Sequence, residues 1–248
     1  MPSSHALTHV GRRRQHNEDA LLVDDGLGLY AVCDGVGGRA KGEVASEAAI
    51  DQLSAYVKQG RDSITAFLQA PSAENASTVR RLLEGAVQNA CYMVFGLAEL
   101  DPTQKGMATT LSALLLAGSV AHVAQVGDSR VYLVRQNKAT QLTEDHTLAN
   151  ERIRKGVSPA AAAQMPGKNV ITRAVGNKDY VQVDLIEVAA RAGDQFLLCS
   201  DGLHGYLAPG EIETILGESP PDQAVIRFID LANDRGGKDN ISVVLVTV

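Results

Sequence analysis

Cysteine is scarce in this chain: Cys33, Cys91 and Cys199 are the only thiols in 248 residues. Three cannot make a disulfide framework. Positive charge is also short, with 23 Lys and Arg against 29 Asp and Glu and a formal net charge of −6. That balance argues against a nucleic-acid binder, which needs a basic face for the phosphates. No apolar run is long enough to span a membrane; the longest, Leu111 to Val126, is broken by Ser112, Gly118, Ser119, His122 and Gln125. It reads as two strands. The opening Met1-Pro2-Ser3-Ser4-His5 has no cationic segment leading into an apolar one, so no secretory signal is expected. No His or Cys pair has zinc-site spacing. Repeats, low-complexity tracts and long linkers are missing too. The expectation is a reduced, cytoplasmic protein with neither a membrane nor a nucleic-acid partner.

What the chain does have is a core. Its hydrophobic content of 45% is ordinary for a folded protein. Three apolar stripes have helical period: Ala45 to Val57, Val79 to Ala98, and Val225 to Ala232. Ser77 or Thr78 is the expected cap of the second, and Gly236-Gly237 stops the third. Short apolar segments predict strands over Leu27 to Cys33, Thr110 to Leu116, Ala121 to Val126, Val131 to Arg135, Gln195 to Cys199 and Ile241 to Val248. Several follow one another with no helix between, which predicts α+β with antiparallel sheets. The stretch from about 147 to 170 reads as partly helical, with Ser158-Pro159 as cap and first helical position.

The aspartates fall in a pattern. Two strands run straight into Asp34-Gly35 and Asp201-Gly202, while two others begin just after Asp128 and Asp239. Antiparallel pairing would bring all four carboxylates to one edge. Close, unpaired carboxylates repel and resist desolvation, so a cation is the natural compensation. All-oxygen ligands suit a hard ion such as Mg²⁺ or Mn²⁺. Each Asp-Gly alone is more simply a turn; four acids with one placement are less so. Ahead of the first strong strand, Arg14-Gln15-His16-Asn17-Glu18-Asp19 adds a guanidinium and two acids. An Arg beside a metal cluster can clamp phosphate oxygens. Alone it reads as a solvated loop.

These segments together resemble the PPM, or PP2C-type, family of metal-dependent protein phosphatases, especially its compact bacterial members. The residues that carry the resemblance are Arg14-x-x-Asn17-Glu18-Asp19, Asp34-Gly35-Val36-Gly37-Gly38, Gly106-x-x-Thr109-Thr110, Gly127-Asp128-Ser129-Arg130, Asp145-His146, Ser200-Asp201-Gly202-Leu203 and Gly237-x-Asp239-Asn240. The resemblance implies one domain over 1–248, a four-layer sandwich of two antiparallel sheets flanked by helices, with 147–170 as a flap. It implies that Asp34 bridges two metal ions, with the Gly35 carbonyl on one of them. Asp201 and Asp239 complete the other, and Glu18 and Asp19 contact the metals directly or through water. Asp128, with Asp201, matches a weaker third-metal site. Arg14 holds the substrate phosphate. Two divalent ions sharing a water supply hydroxide near neutral pH, and that hydroxide attacks phosphorus in line. The substrates implied are phosphoserine and phosphothreonine in proteins, with a bacterial Ser/Thr protein kinase or its targets as partners; a monomer is the default.

One departure stands out: some relatives carry a His after Asp-Gly as general acid, and here that position is Val36. Losing a proton donor costs ~10²- to 10⁴-fold in rate, so low intrinsic activity is expected unless another group serves. Three rival readings compete. Cys33 and Arg39 have the C-x₅-R spacing of cysteine-dependent phosphatases, but Asp34 beside the thiol would raise its pKa. Gly35 to Ala40 approaches a dinucleotide fingerprint, yet Asp34 would repel a pyrophosphate. A non-catalytic module that binds phosphoproteins would also fit Val36. His146 reads as a structural hydrogen-bonding residue at the base of the flap.

Overall fold

The computed structural model describes residues 2–36 and 41–248. Gly37, Gly38, Arg39 and Ala40, and with them the C-x₅-R and glycine-rich readings, lie outside the described residues. Two antiparallel sheets form the centre. The first holds β1 (Ser3–His9), β11 (Ile241–Thr247), β10 (Gln195–Cys199), β7 (Arg130–Arg135) and β8 (Lys138–Gln141), in that spatial order. The second holds β2 (Asp19–Asp24), β3 (Leu29–Val36), β5 (Leu111–Ala117), β6 (Val120–Val126) and β9 (Asp184–Ala189), with β4 (Ala108–Thr109) paired to the end of β3.

Alternation along the strands builds three apolar layers. Tyr30 and Val32 of β3, Phe196 and Leu198 of β10, and Val244 and Val246 of β11 meet between the sheets. The intervening Leu29, Ala31 and Cys33 pack outward under α1 (Gly42–Gln59), α2 (Arg61–Gln69) and α3 (Ala73–Leu100). On the other side Leu197, Cys199, Val243 and Leu245 pack under α7 (Glu211–Glu218) and α8 (Pro221–Asp234). Strands buried on both faces read as unbroken apolar runs, which is why these were legible. The result is the expected α/β/β/α sandwich.

Local chemistry corrects several boundaries. β3 does not stop at Cys33; it continues through Asp34 and Gly35 to Val36, so Asp34-Gly35 is strand rather than turn. The long helix starts at Ala73, capped by Ser72, whose side chain accepts from the Asn75 N–H. It starts upstream of the Ser77 or Thr78 cap expected from the apolar stripe, because its first turn is polar and solvated. Residues 147–170 form α4 (Leu148–Arg154) and α5 (Pro159–Ala162), the latter capped by Ser158 with Pro159 in its first turn. A four-residue helix, α6 (Asp201–His204), follows β10 directly.

Candidate active site

The register of the strands gathers the acids. In the first sheet Cys199 of β10 lies opposite Arg130 of β7 and Val243 of β11. Asp201, two residues past Cys199, is therefore set beside Asp128 and Asp239, which precede those neighbours. In the second sheet Asp34 faces Asp19 directly across β3 and β2. The packing of sheet on sheet then brings the two sets to the same end of the sandwich.

Backbone and small polar groups fix each acid. The Asp34 N–H donates to Thr110 Oγ1 at 2.9 Å, and Thr110 Oγ1 is 2.7 Å from Ser129 Oγ. Asp19 Oδ2 accepts from the Ser200 hydroxyl at 2.8 Å, while Ser200 Oγ accepts the Ser242 N–H at 3.0 Å. Asp239 Oδ2 accepts from Arg14 at 2.8 Å; Arg14 lies 3.9 Å from Glu18, at the limit of an ion pair. The Glu18 carbonyl accepts from the Gly35 N–H at 3.0 Å and from Ser46 Oγ at 2.6 Å. Gly202 is required next to Asp201, because a Cβ there would collide with the Asn240 carbonyl.

The electrostatics set this end apart. Burial first, then the charges of Asp19, Asp201, Asp128 and Asp239, push the Asp34 carboxyl well above the usual range. Burial likewise raises Asp19 and Asp128, each to about 7. Asp201 is raised by burial and by Asp239, against a hydrogen bond shared with Asp34. Asp19 Oδ1 and Asp201 Oδ1 are buried and, among the described residues, have no hydrogen-bond partner. Buried oxygens that no protein donor satisfies, in a cluster without cysteine or histidine ligands, fit a hard divalent cation. Cys33 and Cys199 face the apolar layers instead, and burial pushes the Cys33 thiol up, against a nucleophilic role. Among the described residues, no three of these acids stand in a ready-made metal cage. Arg14 holds one Asp239 oxygen and Ser200 holds one of Asp19, so the acids are electrostatic neighbours rather than a closed set.

Beside them lies a cavity of about 430 Å³ between the carboxylate end and the α4–α5 segment, lined by Asp128, Asp201, His204, Thr147, Asn150 and Lys168 among others. His204 is pushed down to about 4 by burial and donates through Nε2 to the Asp128 carbonyl at 2.9 Å. His146 makes the structural hydrogen bonds expected of it: its Nδ1 accepts the Gly127 N–H and its Nε2 donates to Asp184, which Arg173 also holds at 2.7 Å. A larger hollow of about 830 Å³ at the opposite end, bordered by Asp24, Leu27, Lys58 and Arg61, contains none of the expected site residues. Sequence reasoning quoted Thr110, Ser200 and Asn240 without giving them work and passed over Ser46. Their one signal is that Ser200 and Asn240 each adjoin an acid; Thr110 and Ser46 gave none.

A two-sheet sandwich with helices on both faces, with a crowd of carboxylates at one end, is the arrangement expected of the metal-dependent protein phosphatases. The comparisons agree. The family model for protein phosphatase 2C matches residues 8–245, and the chain belongs to that family, whose members are metal-dependent protein phosphatases. It is 40% identical to the serine/threonine phosphatase stp of Listeria welshimeri over 96% of this chain and 93% of that one. It is 34% identical to the protein phosphatase PhpP of Streptococcus pneumoniae, over 98% and 96% of the two chains. Among solved structures, the Mycobacterium tuberculosis serine/threonine phosphatase PstP/Ppp superposes with a TM-score of 0.85 at 32% identity, covering 100% of this chain and 98% of that one. A PstP catalytic domain in complex with two manganese ions superposes at 0.81, with 31% identity and 99% and 97% coverage.

Proposed function

We propose that the carboxylate end of the sandwich binds two divalent cations, Mn²⁺ or Mg²⁺, and uses them to hydrolyse phosphoserine and phosphothreonine in other proteins. The observation that carries this reading is the set of mutually repelling acids, buried Asp19 and Asp128 with half-buried Asp34 and Asp201, two of them with oxygens that no donor among the described residues satisfies. Asp34, at the centre of that field, would hold both ions together with the Gly35 carbonyl. Asp201 and Asp239 would complete the second ion's set, and Glu18 and Asp19 would contribute directly or through water. Asp128 and Asp201, which border the 430 Å³ cavity, would take a weaker third ion. When bound, the cations supply an acidified water as nucleophile and neutralise phosphoryl charge.

The chain's own residues do the rest. Arg14, 46% exposed at the rim, exchanges its contact with Asp239 for the phosphate oxygens, presenting a fork of donors in a fixed plane. Thr110 holds the Asp34 backbone and Ser200 holds the Asp19 carboxylate in place. Val36 ends β3 with no proton to give, so the leaving hydroxyl draws its proton from elsewhere. Residues 1–248 act as one domain, with 147–170 as the flap. The partners are phosphorylated proteins, a bacterial Ser/Thr kinase or its targets among them, met in the cytoplasm by a monomer. Hydrolysis of a phosphothreonine peptide with and without Mn²⁺, for the wild type and for Asp34→Ala and Asp239→Ala, tests the reading. Metal-dependent turnover lost in both variants is expected; full turnover in either would end it.

A further inference from the structure

The loop joining β1 to β2 carries Arg14 and Glu18, yet has no strand pairing of its own. One side chain ties it down at both ends. Asn240, 4% exposed, precedes β11. Its Nδ2 donates to the Val10 carbonyl at 3.0 Å and to the His16 carbonyl at 2.9 Å. Its Oδ1 accepts the Glu18 N–H at 2.8 Å. The same residue's backbone N–H donates to Asp239 Oδ1 at 2.9 Å, and its carbonyl packs against Gly202, next to Asp201. Three separate pieces of the site therefore meet on one residue.

Only a primary amide does this work. It offers two donors and an acceptor on one short stem. A carboxylate of the same shape would turn its oxygens against the Val10 and His16 carbonyls, and a hydroxyl could not reach all three partners. The long, half-exposed Arg14 side chain has one strong contact of its own, to Asp239. Its place over the site is thus set by where the loop backbone stands.

We infer that Asn240 is a positioning residue for phosphate capture: through the loop it clamps, it sets Arg14 and the Glu18 carboxylate relative to Asp239. The inference rests on the reading of Arg14 as the phosphate clamp. It gives Asn240 a role in substrate affinity and rate without contact with substrate.

A double-mutant cycle with Arg14→Ala, read alongside proteolysis of the metal-free protein, tests it. Asn240→Ala is expected to lower kcat/KM for a phosphothreonine peptide ~10²-fold, chiefly through KM, because a small misplacement of a clamp costs that much. In the Arg14→Ala background the same change is expected to cost less than ~3-fold, since residues acting through one another are not additive. Trypsin cleavage after Arg12, Arg13 or Arg14 is expected to speed up at least ~10-fold in metal-free Asn240→Ala while the remaining sites stay protected, as local opening predicts. Asn240→Asp, nearly the same shape, keeps the acceptor for Glu18 and loses both donors; it is expected to give the same pattern and serves if the alanine variant does not fold. Equal, multiplicative losses in both backgrounds, or unchanged cleavage of the loop, would overturn the inference. A wild type whose turnover is indifferent to Arg14→Ala would instead overturn the Arg14 reading, and the proteolysis result would still stand by itself.

Discussion

The two ends of β10 each present an aspartate, one buried and one half-buried, and the two have opposite surroundings. Asp194, just before the strand, is 2% exposed and fully satisfied: Arg135 grips both carboxylate oxygens at 2.8 and 2.7 Å, and the Arg191 N–H adds a third bond at 2.8 Å. The Arg135 contact holds its carboxyl below the usual range. Asp201, just after the strand, faces Asp34 and Asp239, keeps an orphaned oxygen and is pushed upward. An arginine neutralises one end, while the other is crowded with like charge. A fold needs acids such as Asp194; acids such as Asp201 destabilise it unless something else is bound, and that contrast marks the second end as functional.

Swapping each acid for its amide should split the two roles. Asp201→Asn is expected to cost at least ~10²-fold in kcat/KM, as losing a metal ligand must exceed the loss of its outer supports, while the metal-free protein melts no lower than the wild type. Asp194→Asn should do the reverse, lowering stability by about 1–3 kcal/mol by leaving Arg135 without its charged partner and leaving turnover unchanged. Thermal melting and steady-state kinetics on the pair decide it; an inactive Asp194→Asn with normal melting would break the comparison. Gly202→Ala should fall next, at ~10- to 10²-fold, because relieving the clash with the Asn240 carbonyl moves Asp201 without removing it.

The pH dependence sharpens the contrast. Asp19 and Asp128 titrate near 7 in the folded protein and near 4 unfolded, so the folded state binds more protons between those values. Their contribution to stability is present below about pH 4 and lost as pH rises through about 7. The melting temperature of the metal-free protein, referenced to Asp128→Asn, should therefore fall across that window. The gain from added Mn²⁺ should grow across it, as protons cease to compete for the same oxygens. A metal-free melting point that rises relative to that reference from pH 5 to 7 would contradict the assignment. The smallest effect is expected at Cys33, where replacement by Ala leaves turnover unchanged and alkylating reagents do not inhibit; inhibition by alkylation would revive the thiolate mechanism.

Much of this was readable in the chain. The central strands were legible because burial on both faces leaves unbroken apolar runs, and β10 was located to the residue. The acids stood out because each abuts such a run. Edge strands were not legible: β1 and β2 are half-exposed and carry polar residues such as His5, Thr8 and Asp24, so no periodicity separates them from loop. The short α2 and α7 fell below the length at which a stripe is visible. Asp34-Gly35 is strand and not the turn that an Asp-Gly pair alone suggests, because Gly35 serves a different need, the near-contact of its backbone with Gly42 and Glu18. The supports were invisible for a general reason. Ser46, Ser200 and Asn240 act through hydrogen bonds to partners 28, 181 and 222 residues away, and no local pattern encodes such contacts.

Manganese binding to the metal-stripped protein, followed by titration calorimetry with Asp34→Asn beside the wild type, tests the central claim most directly. Two ions per wild-type chain and neither in the variant is the predicted result. Equal binding by both proteins, or none by the wild type, would contradict it.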